Sequence, residues 1–147
     1  MKNQFAAEYS KSIEILIKYN AAKAANDDAG MAAARAAHME QEARIEAKGA
    51  TYCRLYDRYV SAQERGNAYI DWDDVIWDKD VEGFVAGLRE HGIERFVFSS
   101  GWSSAVETAW KLQQNGCKLE GLVEINGKHK SFGYDEYEKI HGYLFSL

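Results

Sequence analysis

The sequence predicts an α+β fold, in which an N-terminal helical hairpin packs on, or projects from, a small mixed β-sheet with two crossover helices. Over residues 1–66 apolar side chains recur at spacings of three and four, the period of a helix face, whereas residues 67–147 alternate short apolar runs with helical segments. The chain contains no proline, which suits long uninterrupted helices. We therefore expect a helical hairpin at 1–66 and an α/β sheet domain at 67–147.

The hairpin is predicted to consist of two helices. The first, over about residues 3–25, has an apolar face formed by Phe5, Tyr9, Ile13, Leu16, Ile17 and Ala24. Asn26-Asp27-Asp28 then offers a stop and a new N-cap. The second helix is expected to run from about Ala29 to Arg65. Gly49 is either a mild flaw in that helix or a break, and the absence of proline favours the unbroken helix.

An aromatic stripe at helical spacing follows Gly49, formed by Tyr52, Tyr56 and Tyr59. Such a stripe is usually core. Here it could also be a packing surface against the sheet or against a second copy of the chain. A structural or oligomerisation role for the hairpin, for example in a homodimer, is therefore one of our hypotheses.

The C-terminal segment predicts strands and helices in alternation, in the order β-α-β-α-β-β-β. Strands are expected at 68–76, 95–99, 119–125, 128–132 and 143–147, with a short helical turn at 134–140. Asp78 or Asp80 is expected to cap the first crossover helix, and Ser104 with Glu107 forms a capping-box pattern for the second. Asn126-Gly127 is the strongest hairpin-turn signal in the chain. Helices of about 10–13 residues between strands are typical of a parallel or mixed sheet with right-handed crossovers.

The composition argues against several functional classes. Two cysteines in different halves do not indicate a disulfide scaffold, and a reducing cytoplasm is the simpler expectation. No apolar run approaches the roughly 18 residues of a membrane span. The two cysteines and four scattered histidines form no zinc-ligand spacing, so we predict no metal and no cofactor. A net charge of −5 argues against direct binding to nucleic acid.

The most distinctive feature is an acidic segment at residues 71–82, with six acids and one base, whose charge equals that of the whole chain. Its candidate partner-binding residues are Asp71, Trp72, Asp73, Asp74, Trp77, Asp78, Asp80 and Glu82. Spaced carboxylates can imitate a row of phosphates or dock on a basic groove, and tryptophan is enriched at binding hot spots. One alternative is a Mg²⁺ or Ca²⁺ site, although the EF-hand spacing is absent. The other is a solvated edge strand followed by an acid-capped helix.

A serine-rich turn lies between a predicted strand and a predicted helix. The candidate ligand-binding residues there are Ser99, Ser100, Gly101, Ser103 and Ser104. Helix N-terminal amides can hold a phosphate, and open α/β sheets bind ligands at the carboxyl ends of their strands. The turn matches neither the Walker pattern, nor the dinucleotide-binding glycine pattern, nor the nucleophile elbow. The plain alternative is an N-cap with small turn residues. No catalytic triad can be assigned, and we predict no catalytic residue.

Several stretches of the C-terminal half carry a resemblance to a known group of proteins. They are Ile70-Asp-Trp-Asp-Asp-Val-Ile76, Gly92-Ile-Glu-Arg-Phe-Val-Phe-Ser-Ser100, Trp102-Ser-Ser-Ala-Val-Glu-Thr-Ala-Trp110, Asn115-Gly-Cys-Lys-Leu-Glu-Gly-Leu-Val-Glu-Ile125 and Gly142-Tyr-Leu-Phe-Ser-Leu147. The chain resembles an uncharacterised family of short proteins from mobile elements and phages of gut Firmicutes. That resemblance carries no catalytic motif. It implies an association with anti-defence factors, including anti-CRISPR proteins.

Together these features predict a non-enzymatic binding protein. Its acidic segment would occupy a basic, nucleic-acid-binding surface of a larger host protein, with a CRISPR nuclease as the most concrete candidate. The alternative is a small α/β domain that binds a phosphate-containing ligand at the serine-rich turn.

Overall fold

The N-terminal helices end and begin where local backbone geometry requires it. In the computed structural model, which describes residues 4–147, three helices come first: α1 (Gln4–Ala24), α2 (Asp28–Ala47) and α3 (Ala50–Glu64). Asp27 caps α2, because its carboxylate accepts a hydrogen bond of 3.0 Å from the Gly30 amide. The prediction of one unbroken second helix is wrong. Gly49 takes a left-handed φ of +99°, which ends α2 and lets α3 start anew.

Two compact units divide the chain, the first ending at Arg54 and the second comprising Leu55–Leu147. In the first unit α1 and α2 pack around a polar centre. Gln41 donates hydrogen bonds to the backbone carbonyl of Glu8 at 2.8 Å and to its carboxylate at 3.0 Å, and Ser12 donates to Gln41 at 3.1 Å. Glu8 and Gln41 are both buried. The hydrogen-bonded pair therefore fixes which side of α1 faces α2.

The apolar face predicted for the first helix is mostly not the buried one. Phe5 is buried against Tyr52, with ring centroids 4.9 Å apart, but Ile13, Leu16 and Ile17 are exposed. The periodicity predicted the helix correctly. It did not predict the buried face, because α2 presents Gln41 and alanines, which bury the Glu8 side of α1.

The second unit contains the sheet. Its strands are β1 (Ile70–Trp72), β2 (Arg95–Phe98), β3 (Lys118–Lys130) and β4 (Tyr137–Ser146), in the spatial order β1-β2-β4-β3. β1 pairs parallel with β2, while β4 is antiparallel to both of its neighbours. The crossover helices are α4 (Val81–Glu90) and α5 (Ala105–Gln114), and a 3₁₀ turn at Asp78–Asp80 precedes α4. The predicted α+β fold, with a mixed sheet and two crossover helices, is confirmed.

The hairpin lies at a different place from the one predicted. β3 continues through Asn126-Gly127, and the chain reverses between Lys130 and Tyr137. The segment 134–140, predicted as a helical turn, contains the end of this connection and the start of β4. Gly127 is not in the left-handed region that a tight hairpin turn requires. A Cβ on it would lie 2.7 Å from Cγ of Glu138. A larger residue there would have to displace the Glu138 side chain, and the glycine does not form a turn.

Aromatic side chains pack α4 onto the sheet. Phe84 lies edge-on to Trp72 at 4.9 Å and to Phe96 at 5.7 Å, and Phe96 stacks on Phe145 at 5.6 Å. Phe84 thereby joins α4 to β1 and β2, and the stack of Phe96 on Phe145 continues the aromatic cluster onto β4. These contacts explain why Trp72 is buried although β1 is short and lies at the sheet edge.

Arg65, just after α3, bridges the two edge strands. Its guanidinium pairs with Asp71 of β1 and donates a hydrogen bond of 2.6 Å to the backbone carbonyl of Asn126 in β3, while its Nε donates to Ser61 at 3.1 Å. Arg65 is 5% exposed and Asp71 is 1% exposed. In a flat sheet three strand spacings would separate β1 from β3 by about 14 Å. The sheet therefore curls so that one side chain reaches both edges.

Asn67 covers part of the free edge of β3. Its side-chain amide donates to the carbonyl of Asn126 and accepts from the amide of Asn126, both at 2.9 Å. This is the two-point pattern that a neighbouring strand would make. Unpaired backbone groups on an edge strand can pair with other chains, and the Asn67 side chain occupies those of Asn126.

Within residues 4–147 no helix has the length and apolarity to cross a membrane.

A pair of glycine substitutions tests the break between α2 and α3. Gly49→Ala is expected to destabilise the protein by about 1 kcal/mol, because an alanine at positive φ is strained. Gly83→Ala, in α4 with open space around its Cβ, is expected to stabilise by up to about 1 kcal/mol, because alanine is the better helix former. Urea unfolding followed by circular dichroism measures both changes. Stabilisation by Gly49→Ala would contradict the conclusion that the left-handed backbone of Gly49 separates α2 from α3.

The Arg65–Asp71 pair gives a second prediction. Asp71→Asn is expected to lower the free energy of unfolding by about 3–5 kcal/mol, because it leaves a buried guanidinium without its counter-charge. The matched control is Asp80→Asn, an exposed position, where a change within about 0.5 kcal/mol is expected. Denaturant titration of the two variants side by side provides the measurement. Equal stability of the two variants would show that the bridge does not hold the sheet.

Candidate functional site: an acidic and aromatic edge of the sheet

The two candidate sites predicted from the sequence come together at one edge of the sheet. β1 and β2 are parallel and end at Trp72 and Phe98, and the amide of Ser99 donates to the carbonyl of Trp72 at 2.9 Å. The acidic segment and the serine-rich turn therefore leave the same edge. A cavity of about 520 Å³ lies between them, lined by Val75, Ile76, Trp77, Asp78, Lys79 and Ser104. Carboxyl ends of parallel strands are the usual place for binding sites in such sheets.

Two residues of the acidic segment lie inside the molecule. The expectation that Asp71 and Trp72 form part of a binding surface is therefore corrected. Asp71 is buried because it pairs with Arg65, and Trp72 is buried because it packs on Phe84 beneath the guanidinium of Arg58. These two side chains stabilise the fold and are not available to a partner.

Asp73 is partly buried and neutralised from within the chain. One carboxylate oxygen pairs with Arg58 and the other with Lys128 at 2.7 Å. Burial acts to raise the pKa of Asp73, but the hydrogen bonds and positive charges of Lys128 and Arg58 outweigh it and lower the pKa from 3.8 to about 2. Like Arg65, the Asp73–Lys128 pair joins the end of β1 to β3.

The remaining acids form the part of the segment that faces solvent. We define the acidic surface as the exposed residues Asp74, Trp77, Asp78, Asp80 and Glu82. Asp78 pairs with Lys111 of α5 at 2.8 Å, and Asp74 accepts a hydrogen bond of 2.7 Å from the Val75 amide. In the described part of the chain Asp80 and Glu82 have no cationic partner. The expected acid cap of α4 is absent too, because Asp80 precedes that helix without a side-chain capping bond.

Three exposed apolar residues beside this surface were not predicted as functional. Trp102, Val106 and Trp110 are 60%, 78% and 62% exposed, at intervals of four residues into α5. Because residues four apart lie on the same face of a helix, this spacing in the sequence could have indicated that the three side chains form one surface. The ion pair of Lys111 with Asp78, and the shared cavity of Ser104 and Trp77, place the start of α5 next to the acidic surface. Exposed aromatic groups rimmed by charge are typical of interaction sites.

The serine-rich turn is less organised than its pattern suggested. Ser104 occupies the position before α5, but its side chain makes no capping hydrogen bond, so the predicted capping box is not formed. The Ser100 hydroxyl accepts a bond of 3.3 Å from the Trp102 amide. Of the predicted ligand-binding residues, only Ser104 lines the cavity with Lys79. Among residues 4–147, no cluster of three or more His, Cys, Asp or Glu is placed to hold a metal ion.

The lowered pKa of Asp73 predicts an acid dependence of stability. A carboxylate whose pKa is lower in the folded state contributes stability that is complete above the unfolded value, near pH 4, and is lost as the pH falls towards about 2. The expected contribution is about 1 kcal/mol, less than the pKa difference implies because the side chain is 31% exposed. Urea unfolding over this pH range should show a weaker acid loss in Asp73→Asn than in Asp74→Asn. Identical pH profiles of the two variants would contradict a lowered pKa of Asp73 in the folded state.

Comparison with known proteins identifies the second unit. A family model described as a domain of unknown function, DUF7698, matches residues 54–147. The matched segment coincides, within one residue, with the second compact unit, which contains the sheet and the acidic surface. No curated protein and no solved structure matches the chain. Because the family model matches well over half of this chain's residues, the chain belongs to the DUF7698 family.

Proposed function

We propose that the chain is a non-enzymatic binding protein whose acidic surface occupies a basic, nucleic-acid-binding surface of a larger protein. One observation carries this proposal: unpaired carboxylates and exposed tryptophans lie together at the carboxyl edge of the parallel strands. Asp80 and Glu82 are free of cationic partners in the described residues, and Trp77 is 67% exposed between the acids. Such a mixture suits a partner with positive charge and apolar side chains.

The buried half of the acidic segment supports the proposal indirectly. Asp71 and Asp73 are compensated by arginine and lysine from elsewhere in the chain. The acids that remain exposed therefore place negative charge beside the carboxyl ends of the parallel strands. Oppositely charged surfaces steer diffusional encounter and raise association rates. The same potential repels the phosphates of nucleic acid, so a protein is the better partner.

The exposed tryptophans supply the apolar part of the contact. Binding energy at protein interfaces concentrates in a few residues, with tryptophan enriched among them. Trp77 lies within the acidic surface, and Trp102 and Trp110 lie beside it on the approach to α5 and within α5. The acids then orient the partner, while the tryptophan rings provide the apolar surface that is buried on binding.

The resemblance of the C-terminal half to mobile-element and phage proteins indicates which partner to test first. Proteins of such elements include inhibitors of host defence, and a CRISPR nuclease has the basic groove that an acidic surface could fill. We propose a nuclease of this kind in the bacterial cytoplasm as the partner. The chain would compete there with DNA.

Charge neutralisation tests the proposal. The variant with Asp74→Asn, Asp78→Asn, Asp80→Asn and Glu82→Gln is expected to weaken binding to a purified CRISPR nuclease at least tenfold at low salt and to flatten the salt dependence of binding. DNA displacement, followed by fluorescence anisotropy of a labelled duplex, measures the competition. The substituted residues are exposed, so the fold is expected to persist.

The matched control removes the same charge elsewhere. The substitutions Glu14→Gln, Glu40→Gln, Glu46→Gln and Glu90→Gln also affect exposed residues, and this variant should compete like the unmodified protein. If the two variants lose binding equally, net charge and not the acidic surface drives association. If the unmodified protein displaces no DNA from the nuclease, that partner is excluded.

A further inference from the structure

We infer that Trp77 and Asp78 form an arginine-binding pair, and that the partner supplies the arginine. This inference rests on the proposed function and names the side chain that the acidic surface recognises. It is drawn from a comparison within the chain. The dipeptide Trp-Asp occurs twice in the acidic segment, as Trp72-Asp73 and as Trp77-Asp78.

The first Trp-Asp pair already holds an arginine. The guanidinium carbon of Arg58 lies 4.4 Å from the ring centroid of Trp72, and the same guanidinium pairs with one oxygen of Asp73. The other oxygen of Asp73 binds the Lys128 ammonium at 2.7 Å. The pair thus binds two cations at once, with the arginine over the ring and the lysine away from it.

The second Trp-Asp pair has a lysine at its carboxylate, as the first has, but no arginine at its tryptophan. The Lys111 ammonium lies 2.8 Å from one oxygen of Asp78, which corresponds to the place of Lys128 on Asp73. Among residues 4–147 the other oxygen of Asp78 has no hydrogen-bond or ion-pair partner, and no ring or cation contacts the exposed Trp77. The lysine position is therefore filled and the arginine position is open.

The surroundings of the second pair fit the rest of an arginine side chain. The cavity of about 520 Å³ beside Trp77 has Val75 and Ile76 in its wall, which can cover the methylene groups of an arginine. Ser104 lines the same cavity, and a serine hydroxyl can accept a guanidinium hydrogen. Lys79, the one cation in the lining, is exposed and can turn to solvent.

Arginine fits this site better than lysine for a geometric reason. A planar guanidinium can stack on an indole ring and donate to a carboxylate at the same time, as Arg58 does. A lysine ammonium is a compact, strongly hydrated point charge, so the stacking contact is smaller. The pair should therefore discriminate between two partners of equal charge.

The test compares an oligo-arginine peptide with an oligo-lysine peptide of the same length, by calorimetric titration of the full chain. We expect the arginine peptide to bind about fivefold more tightly, the factor that corresponds to a cation–π contact of about 1 kcal/mol. Trp77→Leu should abolish that preference. Asp78→Asn should reduce it and weaken binding of both peptides. The matched control is Trp102→Leu, at a tryptophan of similar exposure that has no acid next to it in the sequence, and this variant should keep the preference.

A second readout is independent of affinity. In a nitrogen–proton correlation spectrum the four indole N–H signals can be assigned with single Trp→Phe variants. The arginine peptide should shift the Trp77 signal most and leave the buried Trp72 signal in place. Equal affinity for the two peptides, or a preference that survives Trp77→Leu, would overturn the arginine site and leave the acidic surface intact. Failure of both peptides to bind at low salt would overturn the acidic surface itself.

Discussion

The buried ion pair between Arg65 and Asp71 is the contact on which the second unit depends. Arg65 reaches both edge strands of a four-stranded sheet, and it does so from the residue that follows α3. A buried charge without its partner is costly, so the curl of the sheet, the end of α3 and the position of β1 are coupled. Asn67 adds to this by hydrogen-bonding the backbone of Asn126, which keeps part of the β3 edge from pairing with another chain.

This coupling also determines what the acidic segment can do. Asp71 and Asp73 are drawn inward by Arg65, Arg58 and Lys128, so their charges stabilise the fold. The chain then leaves β1, and the later acids face solvent in the segment before α4 and in the first turn of that helix. One run of carboxylates therefore has two roles, and the boundary between them lies where the internal cations end. Asp78 stands at that boundary, because Lys111 satisfies only one of its oxygens.

The exposed edge combines charge, rings and a cavity within the part of the chain that the family model matches. Trp77, Trp102 and Trp110 remain in solvent while the fourth tryptophan, Trp72, is buried under Arg58. The pair of Trp72 and Asp73, which holds Arg58, shows within the chain the chemistry that Trp77 and Asp78 offer to another molecule. A surface of this kind selects partners by side-chain type as well as by net charge.

The sequence by itself determined the elements whose cause is local: the end of α1, the Asp27 cap, and the alternation of strands with α4 and α5. It also located the acidic segment and the serine-rich turn. Tertiary structure decided the rest. Asn126-Gly127 is a strong turn signal, yet contacts with Arg65, Asn67 and β4 hold it in a strand. Asp71 looks like a surface acid in the sequence, but the fold places it inside the molecule against Arg65, and Asp73 pairs with Lys128 of β3. Backbone preferences depend on neighbouring residues, whereas the environment of a charge depends on which side chains the fold brings to it.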